Sequence, residues 1–286
     1  MKSVFVTGCT PGGIGHALAK EYHAKGLRVF ATARRVEVLA DLAALGIETL
    51  KLDVCDPESV RAAKDAVASK TGGTLDILVN NAGQAHAGVP STDFDMDEVK
   101  NLYEVNVFGV MRTVQEFAPL LIASGDGRIV NIGSVVGIIP LPFNSSAYNS
   151  SKAALHSYSN TLRLELAPFN VQVATVITGG VKTNMAMMAQ KPLKTSSIYA
   201  PIADIIANRA PPERVEKVMP PEVYAKYVVA QSLKRTLRAW LWHGSQSWTV
   251  WFVDAFVGRT GFDLLCWYTS GLNKLKAALA SEKKQK

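Results

Sequence analysis

Residues 3–6 read SVFV and run directly into TGCTPGGIG at 7–15. Three apolar residues after Ser3, two of them β-branched, make a buried strand, and a proline with four glycines in the next nine prevents any regular element. Ile14, Ala17, Leu18 and Tyr22 then recur at helical spacing. Strand, glycine loop and helix in that order form a place where free backbone N–H groups and the positive end of a helix dipole meet an anion. In this reading Gly8 makes the tight turn, Gly13 lets the backbone approach a pyrophosphate, and Gly15 lets helix pack on strand. The alternation continues. RVFATA, ETLKLDV, LDILVN, RIVNIG and VQVATVI are further short apolar runs, and helical stretches such as Val36, Leu39 and Leu42 lie between them. Near-continuous apolar strands separated by helices predict an α/β fold, a doubly wound parallel sheet of Rossmann type with helices on both faces.

Composition agrees with one large core: of 286 residues, 48% are hydrophobic and 19% charged. Cys9, Cys55 and Cys266 match no metal spacing and read as reduced thiols, which points to a cytoplasmic setting. The net charge of +7 comes partly from the tail, where Lys274, Lys276, Lys283, Lys284 and Lys286 face only Glu282. No helix-turn-helix, zinc-finger or RNA-binding signature accompanies that charge, so nucleic acid is not the expected partner. Residues 1–237 read as the catalytic unit, with a lid over 185–221, and 238–286 as a C-terminal extension. RAWLW (238–242) reads as a further strand.

The loop at 7–15 resembles the TGxxxGIG fingerprint of the short-chain dehydrogenases/reductases. Here four residues, Cys9 to Gly12, precede Gly13-Ile14-Gly15 where the family has three. A bulge around Pro11 follows, and either Thr10 or Gly12 takes the phosphate contact. After the second strand come Arg34 and Arg35, where an acidic residue would read the ribose of NAD; two guanidiniums suit the 2′-phosphate of NADPH, although arginines at a helix start are also commonly just solvated. Asp53 resembles the family's adenine contact, and equally a turn former. Asn80, Ala82 and Gly83 belong to the family's NNAG wall of the cofactor site. ITGGVKT resembles PGxVxT, which closes over nicotinamide; Gly179, Val181 and Thr183 match, and Thr178 replaces the proline, a change expected to loosen the turn.

The chemistry rests on YNSSK. A spacing of four places Tyr148 and Lys152 on one helix face. A phenol of pKa ~10 shuttles protons poorly near neutrality; lowering it by roughly three units needs about 4 kcal/mol, which a nearby ammonium and a cationic nicotinamide can supply in a dry site. Ser134 in NIGSVVG is expected to hydrogen-bond the substrate carbonyl. Asn106 matches the family's helix asparagine, which implies a water relay to the lysine.

NNAGQ, PFNVQVATVITGGVKT, KPLKTSSIY and PPEVYAKYVV are similar to the acyl-dihydroxyacetone-phosphate reductase branch, whose relatives also reduce ketones of secondary metabolism. The resemblance implies a hydrophobic ketone or alcohol as substrate, and Lys182, Lys191 and Lys194 are candidates for a phosphate headgroup. Met185, Met187 and Met188 adapt to apolar ligands or simply pack the lid. All five tryptophans fall in 240–267. That segment is too interrupted for the roughly 20 apolar residues of a membrane span. It reads as an interfacial amphipathic element, at a membrane or lipid droplet, or as a lid or homo-oligomer contact. Two other functions stay open: alcohol oxidation, and a non-catalytic nucleotide sensor.

Overall fold

The computed structural model describes residues 1–85, 88–143, 146–184, 193–208 and 218–284, the side chains of Arg259, Glu282 and Lys283 excepted. Seven strands lie side by side: β1 (Ser3–Val6), β2 (Arg28–Ala33), β3 (Glu48–Lys51), β4 (Ile77–Asn80), β5 (Gly127–Ile132), β6 (Val171–Thr178) and β7 (Trp240–His243). Their order is β3-β2-β1-β4-β5-β6-β7, and every neighbouring pair is parallel. Each residue of β1, β4 and β5 is buried, so apolar residues stand on both faces of these strands instead of alternating with exposed polar ones.

The helices are α1 (Ile14–Ala24), α2 (Ala40–Ala44), α3 (Pro57–Thr71), α4 (Met96–Tyr103), α5 (Gly109–Ala123), α6 (Ser146–Leu166), α7 (Ala203–Ala207), α8 (Pro221–Ser232), α9 (Ser247–Phe256), α10 (Asp263–Thr269) and α11 (Leu272–Lys284). One sheet face packs against Leu18 and Tyr22 of α1 and Tyr224 and Val228 of α8. The other packs against Val60 of α3, Phe117 of α5 and Leu155 of α6. Local chemistry sets the ends of α3: Asp56 caps its first turn through Glu58 N–H, Pro57 opens it, and Gly72 closes it at φ 69°. The helix expected from Val36, Leu39 and Leu42 begins as a 3₁₀ turn, Val36–Leu39, before continuing as α2.

β1 is bonded to β2 on one side and β4 on the other. The order in which successive strands are added reverses across this point, which opens a crevice at the carboxyl ends of the strands. β7 closes the far edge against β6, so the sheet continues past residue 237, into the stretch read as the extension. The chain beyond β7 folds back onto the body. Val250, Phe262 and Cys266 pack with Val135, Ile138, Ile139 and Leu141 of the loop after Ser134. Leu275 of α11 packs with Phe143, Ile202 and Ile206. Of the lid, the 3₁₀ turn Ala200–Ile202 and α7 are seen; Met185, Met187, Met188 and Lys191 lie outside the described residues. Cys9, Cys55 and Cys266 form no disulfide. Among the described residues no helix is long and apolar enough to cross a membrane.

Candidate active site

The glycine loop leaves β1 with Gly8 at φ 73°, and a Cβ there would sit 2.8 Å from Ala82 Cα. Gly8 is thus fixed both by its left-handed backbone and by close contact with the Asn81–Ala82 turn. The additional residue is absorbed by a turn over Pro11 and Gly12, closed by Gly13 N–H to Thr10 O at 3.1 Å, with Gly12 at φ 75°. Thr10 is exposed on this turn, Ile14 half-buried behind it. Gly15 cannot carry a side chain, since its Cβ would lie 2.3 Å from Asn81 Nδ2. Gly13 caps α1 without a side-chain partner, and no acidic residue occupies the first turn. The helix end is therefore a site for an anion, and these residues fit a dinucleotide pyrophosphate.

Two residues that sequence reading passed over hold this loop. Thr7 Oγ1 accepts the N–H groups of Asn81 and Ala82, each at 2.9 Å, and Asn81 Nδ2 donates to the carbonyls of Thr7 and Gly8, also at 2.9 Å. They clasp β1 to β4 at the switch point. Asn80 ends β4 with its side chain turned inward. Its side chain is buried, with Nδ2 donating to Asn131 Oδ1 at 2.8 Å and Oδ1 accepting from Thr113 at 2.7 Å. Asn131 in turn donates to Ser159. This side chain ties α5 and α6 to the sheet. Arg34 and Arg35 emerge exposed at the end of β2, unengaged by any carboxylate among the described residues. Asp53 accepts from Cys55 N–H at 3.0 Å, the turn-forming role, and sits half-buried at the mouth of the same crevice.

The loop after β6 is anchored from beneath. A Cβ on Gly179 would come within 2.2 Å of Ser245 O. The close approach reserved for this glycine is thus to the turn after β7. Gly180 exchanges two backbone hydrogen bonds with Ser245, each 2.9 Å, and Val181 bridges to Met219. Thr178 does not loosen the turn as expected: its hydroxyl is buried 2.6 Å from Tyr224 OH, which fastens β6 to α8. Thr183 is half-buried next to Asn184, whose Nδ2 donates to Pro11 O at 3.2 Å and joins this loop to the glycine loop.

Ser134, Tyr148, Lys152 and Asn106 converge beyond the ends of β4 and β5. The Ser134 and Tyr148 hydroxyls are hydrogen-bonded to each other. Lys152 is buried, its Nζ donating to Ile132 O at 2.9 Å and lying 5.9 Å from the centre of the Tyr148 ring. Asn106 sits in a π-helical turn, Glu104–Phe108, between α4 and α5; such bulges aim side chains that a regular helix would turn away. Its Oδ1 accepts Gln84 N–H at 2.8 Å and its Nδ2 donates to Gln84 O at 2.9 Å and Ser151 Oγ at 3.1 Å. Gly83 lies between, where a Cβ would be 3.5 Å from Asn106 Oδ1 and 3.7 Å from Lys152 Nζ.

The electrostatics differ from expectation. Burial pushes the Tyr148 phenol up to about 12, with the Ser134 hydrogen bond pulling the other way. Burial brings Lys152 down to about 8. The protein's own atoms do not make Tyr148 acidic, because desolvation outweighs what Ser134 returns and the ammonium is turned to Ile132 O. The phenol is held protonated at neutral pH.

The family model described as short chain dehydrogenase matches residues 2–194. The short-chain dehydrogenase fogD of Aspergillus ruber is 44% identical over 288 residues, covering 99% of this chain and 98% of its own. The NADPH-dependent 1-acyldihydroxyacetone phosphate reductase of Schizosaccharomyces pombe is 44% identical over 239 residues, 82% of this chain and 79% of its own. Among solved structures, a short-chain dehydrogenase from Streptomyces avermitilis superposes with TM-score 0.76 at 29% identity, covering 95% of this chain and 97% of that one.

Proposed function

The chain belongs to the short-chain dehydrogenases, oxidoreductases that use a nicotinamide nucleotide, and from that premise we propose that it is an NADPH-dependent reductase of bulky or lipid-like ketones with Tyr148 as general acid. The observation that carries this is the convergence of Ser134, Tyr148 and Lys152 at one point beside the crevice, with the phenol protonated. When bound, the reduced nucleotide supplies hydride. Tyr148 delivers the proton to the carbonyl oxygen, and Ser134 Oγ donates a hydrogen bond to that oxygen as negative charge develops. Lys152, with its proton near pH 8, restores the one that Tyr148 gives up. Asn106 holds Gln84 and Ser151 and so keeps the Gly83 wall against Lys152.

Tyr148 serves both directions, giving its proton in reduction and taking one in oxidation, so the choice of reduction over the alcohol-oxidising alternative rests on cofactor preference. Arg34 and Arg35 favour NADPH, and the S. pombe relative is named for that cofactor. Val135, Ile138, Ile139 and Leu141 form an apolar loop after Ser134, which suits a hydrophobic ketone. Lys182 and Lys194 are exposed on the lid side, within the reading of a phosphate-bearing substrate. The outer faces of α9 and α10 suit peripheral contact with an anionic lipid surface.

The test is Tyr148→Phe, assayed by NADPH oxidation over a panel of hydrophobic ketones. Turnover should fall by at least about a thousandfold, at the upper part of the range for removing a general acid, with NADPH affinity within twofold of wild type. Turnover retained by the variant removes Tyr148 from this role. Tight NADPH binding by the wild type with no turnover on any ketone would favour a nucleotide sensor.

A further inference from the structure

Ser134 is bracketed by Gly133 and Gly137, and the space where their side chains would be is filled by one imidazole. A Cβ on Gly133 would stand 2.5 Å from His156 Nε2, and one on Gly137 would stand 2.7 Å from His156 Cε1. His156 is buried one helical turn beyond Lys152 and two beyond Tyr148, on the same face of α6, and the Trp240 ring lies 5.6 Å away on its far side. The Ser134 N–H donates to Nε2 at 3.3 Å. Ser134 opens the 3₁₀ turn Val135–Gly137 in extended conformation, so its own N–H has no partner within the turn. An imidazole that accepts at Nε2 carries its proton on Nδ1.

We propose that His156 is a positioning residue that holds the Ser134 backbone through Nε2 and thereby directs Ser134 Oγ toward Tyr148. With the amide fixed on one side by the imidazole and the carbonyl bonded to Gly137 N–H at 3.1 Å on the other, the serine cannot rotate its Cα–Cβ direction away from the phenol. Both glycines are then explained as room for the ring. Burial and the charge of Lys152 bring His156 down to about 4, so the accepting lone pair persists through the neutral range. The inference rests on the proposed role of Ser134 and adds the group that places it.

The experiment compares His156→Leu, His156→Gln and Ser134→Ala for kcat, KM and NADPH affinity, and records the ¹⁵N spectrum of histidine-labelled wild type. Leucine fills the space without an acceptor, whereas the glutamine Oε1 reaches the place of Nε2. Ser134→Ala should lose turnover. His156→Leu should lower kcat on the order of 10- to 100-fold, the size expected for a small misplacement of a reacting group, with NADPH affinity unchanged; His156→Gln should recover most of it. If Ser134→Ala is inactive but His156→Leu turns over normally, or if Leu and Gln are equally impaired, the inference fails while the reading of Ser134 stands. Full turnover by Ser134→Ala overturns both. Where the leucine variant does not fold, the wild-type spectrum decides: an unprotonated Nε2 supports the arrangement, and a protonated Nε2 overturns it.

Discussion

Lys152 is a buried cation whose ammonium is held by a strand carbonyl, and that placement has a measurable cost. The distance between its folded value of about 8 and the ordinary 10.5 corresponds to about 3 kcal/mol of destabilisation below pH 8. The sign follows from proton binding. Between pH 8 and 10.5 the unfolded chain still holds a proton on this lysine that the folded chain has released, so stability rises with pH across that window. Lys152→Met should therefore be more stable than wild type at neutral pH, with the difference shrinking as pH approaches 10.5; denaturant midpoints across that range check it, and a constant difference contradicts the assignment. YxxxK was legible as a pair because four residues make one helical turn. Its electrostatics were not, because burial and the partner of the ammonium come from β5, twenty residues away in sequence.

The loops at the strand ends carry most of the recognition, and each rests on something beneath it. Gly179→Ala drives a methyl group into the Ser245 carbonyl at 2.2 Å, where both neighbours are backbone and neither can yield. A loss of about 2–3 kcal/mol is expected, seen as a lower Tm. Gly180→Ala meets side chains, Val218 at 3.0 Å and Ser245 Cβ at 3.4 Å, and should cost less. Equal losses would mean that Gly179 is not held by that contact. At the end of β2, replacing Arg34 and Arg35 together with alanine should weaken NADPH binding on the order of 10- to 100-fold, the worth of charge-assisted hydrogen bonds to phosphate, and leave NADH within twofold. Isothermal titration with both nucleotides tests this, and parallel losses exclude the arginines from reading the 2′-phosphate. The glycine loop could be read from its own residues, since positive φ and missing side chains leave a compositional mark. The inward hydrogen bonds of Asn80 could not, because an amide at a strand end carries no local mark of partners such as Asn131 and Thr113.

The extension joins the catalytic loop to the molecular surface. Its inner residues, Val250, Phe262 and Cys266, back the apolar loop after Ser134, while Trp248, Phe252 and Phe256 on one face of α9 are 67%, 50% and 68% exposed. Trp248 stacks on Trp251 at 4.5 Å, and Phe252 lies 5.0 Å from Phe256, so these rings form one continuous patch. Lys274, Lys276 and Lys284 are exposed on α11. Exposed aromatics and lysines within one extension are the basis of the proposed contact with an anionic lipid surface. Substituting Trp248, Phe252 and Phe256 together with serine should abolish sedimentation with phosphatidylserine-containing vesicles and leave turnover of a soluble ketone unchanged. Wild type that does not bind vesicles, with a dimer lost in the triple variant, would assign the patch to a second copy instead.

Periodicity and the SVFV–TGCTPGGIG junction were enough to state the parallel doubly wound sheet, because burial on both faces forces continuous apolar strands and a phosphate cradle forces glycine. Of the groups that converge beyond β4 and β5, Tyr148 and Lys152 were legible as a pair from helical spacing, and Ser134 and Asn106 from the family resemblance. Folding alone settled how those groups are held and charged. Thr178 is tied to Tyr224, Asn81 to Thr7, and His156 to Ser134 across 46, 74 and 22 residues. A side chain's partner and solvation depend on what the topology brings beside it, and neither leaves a local pattern in the chain.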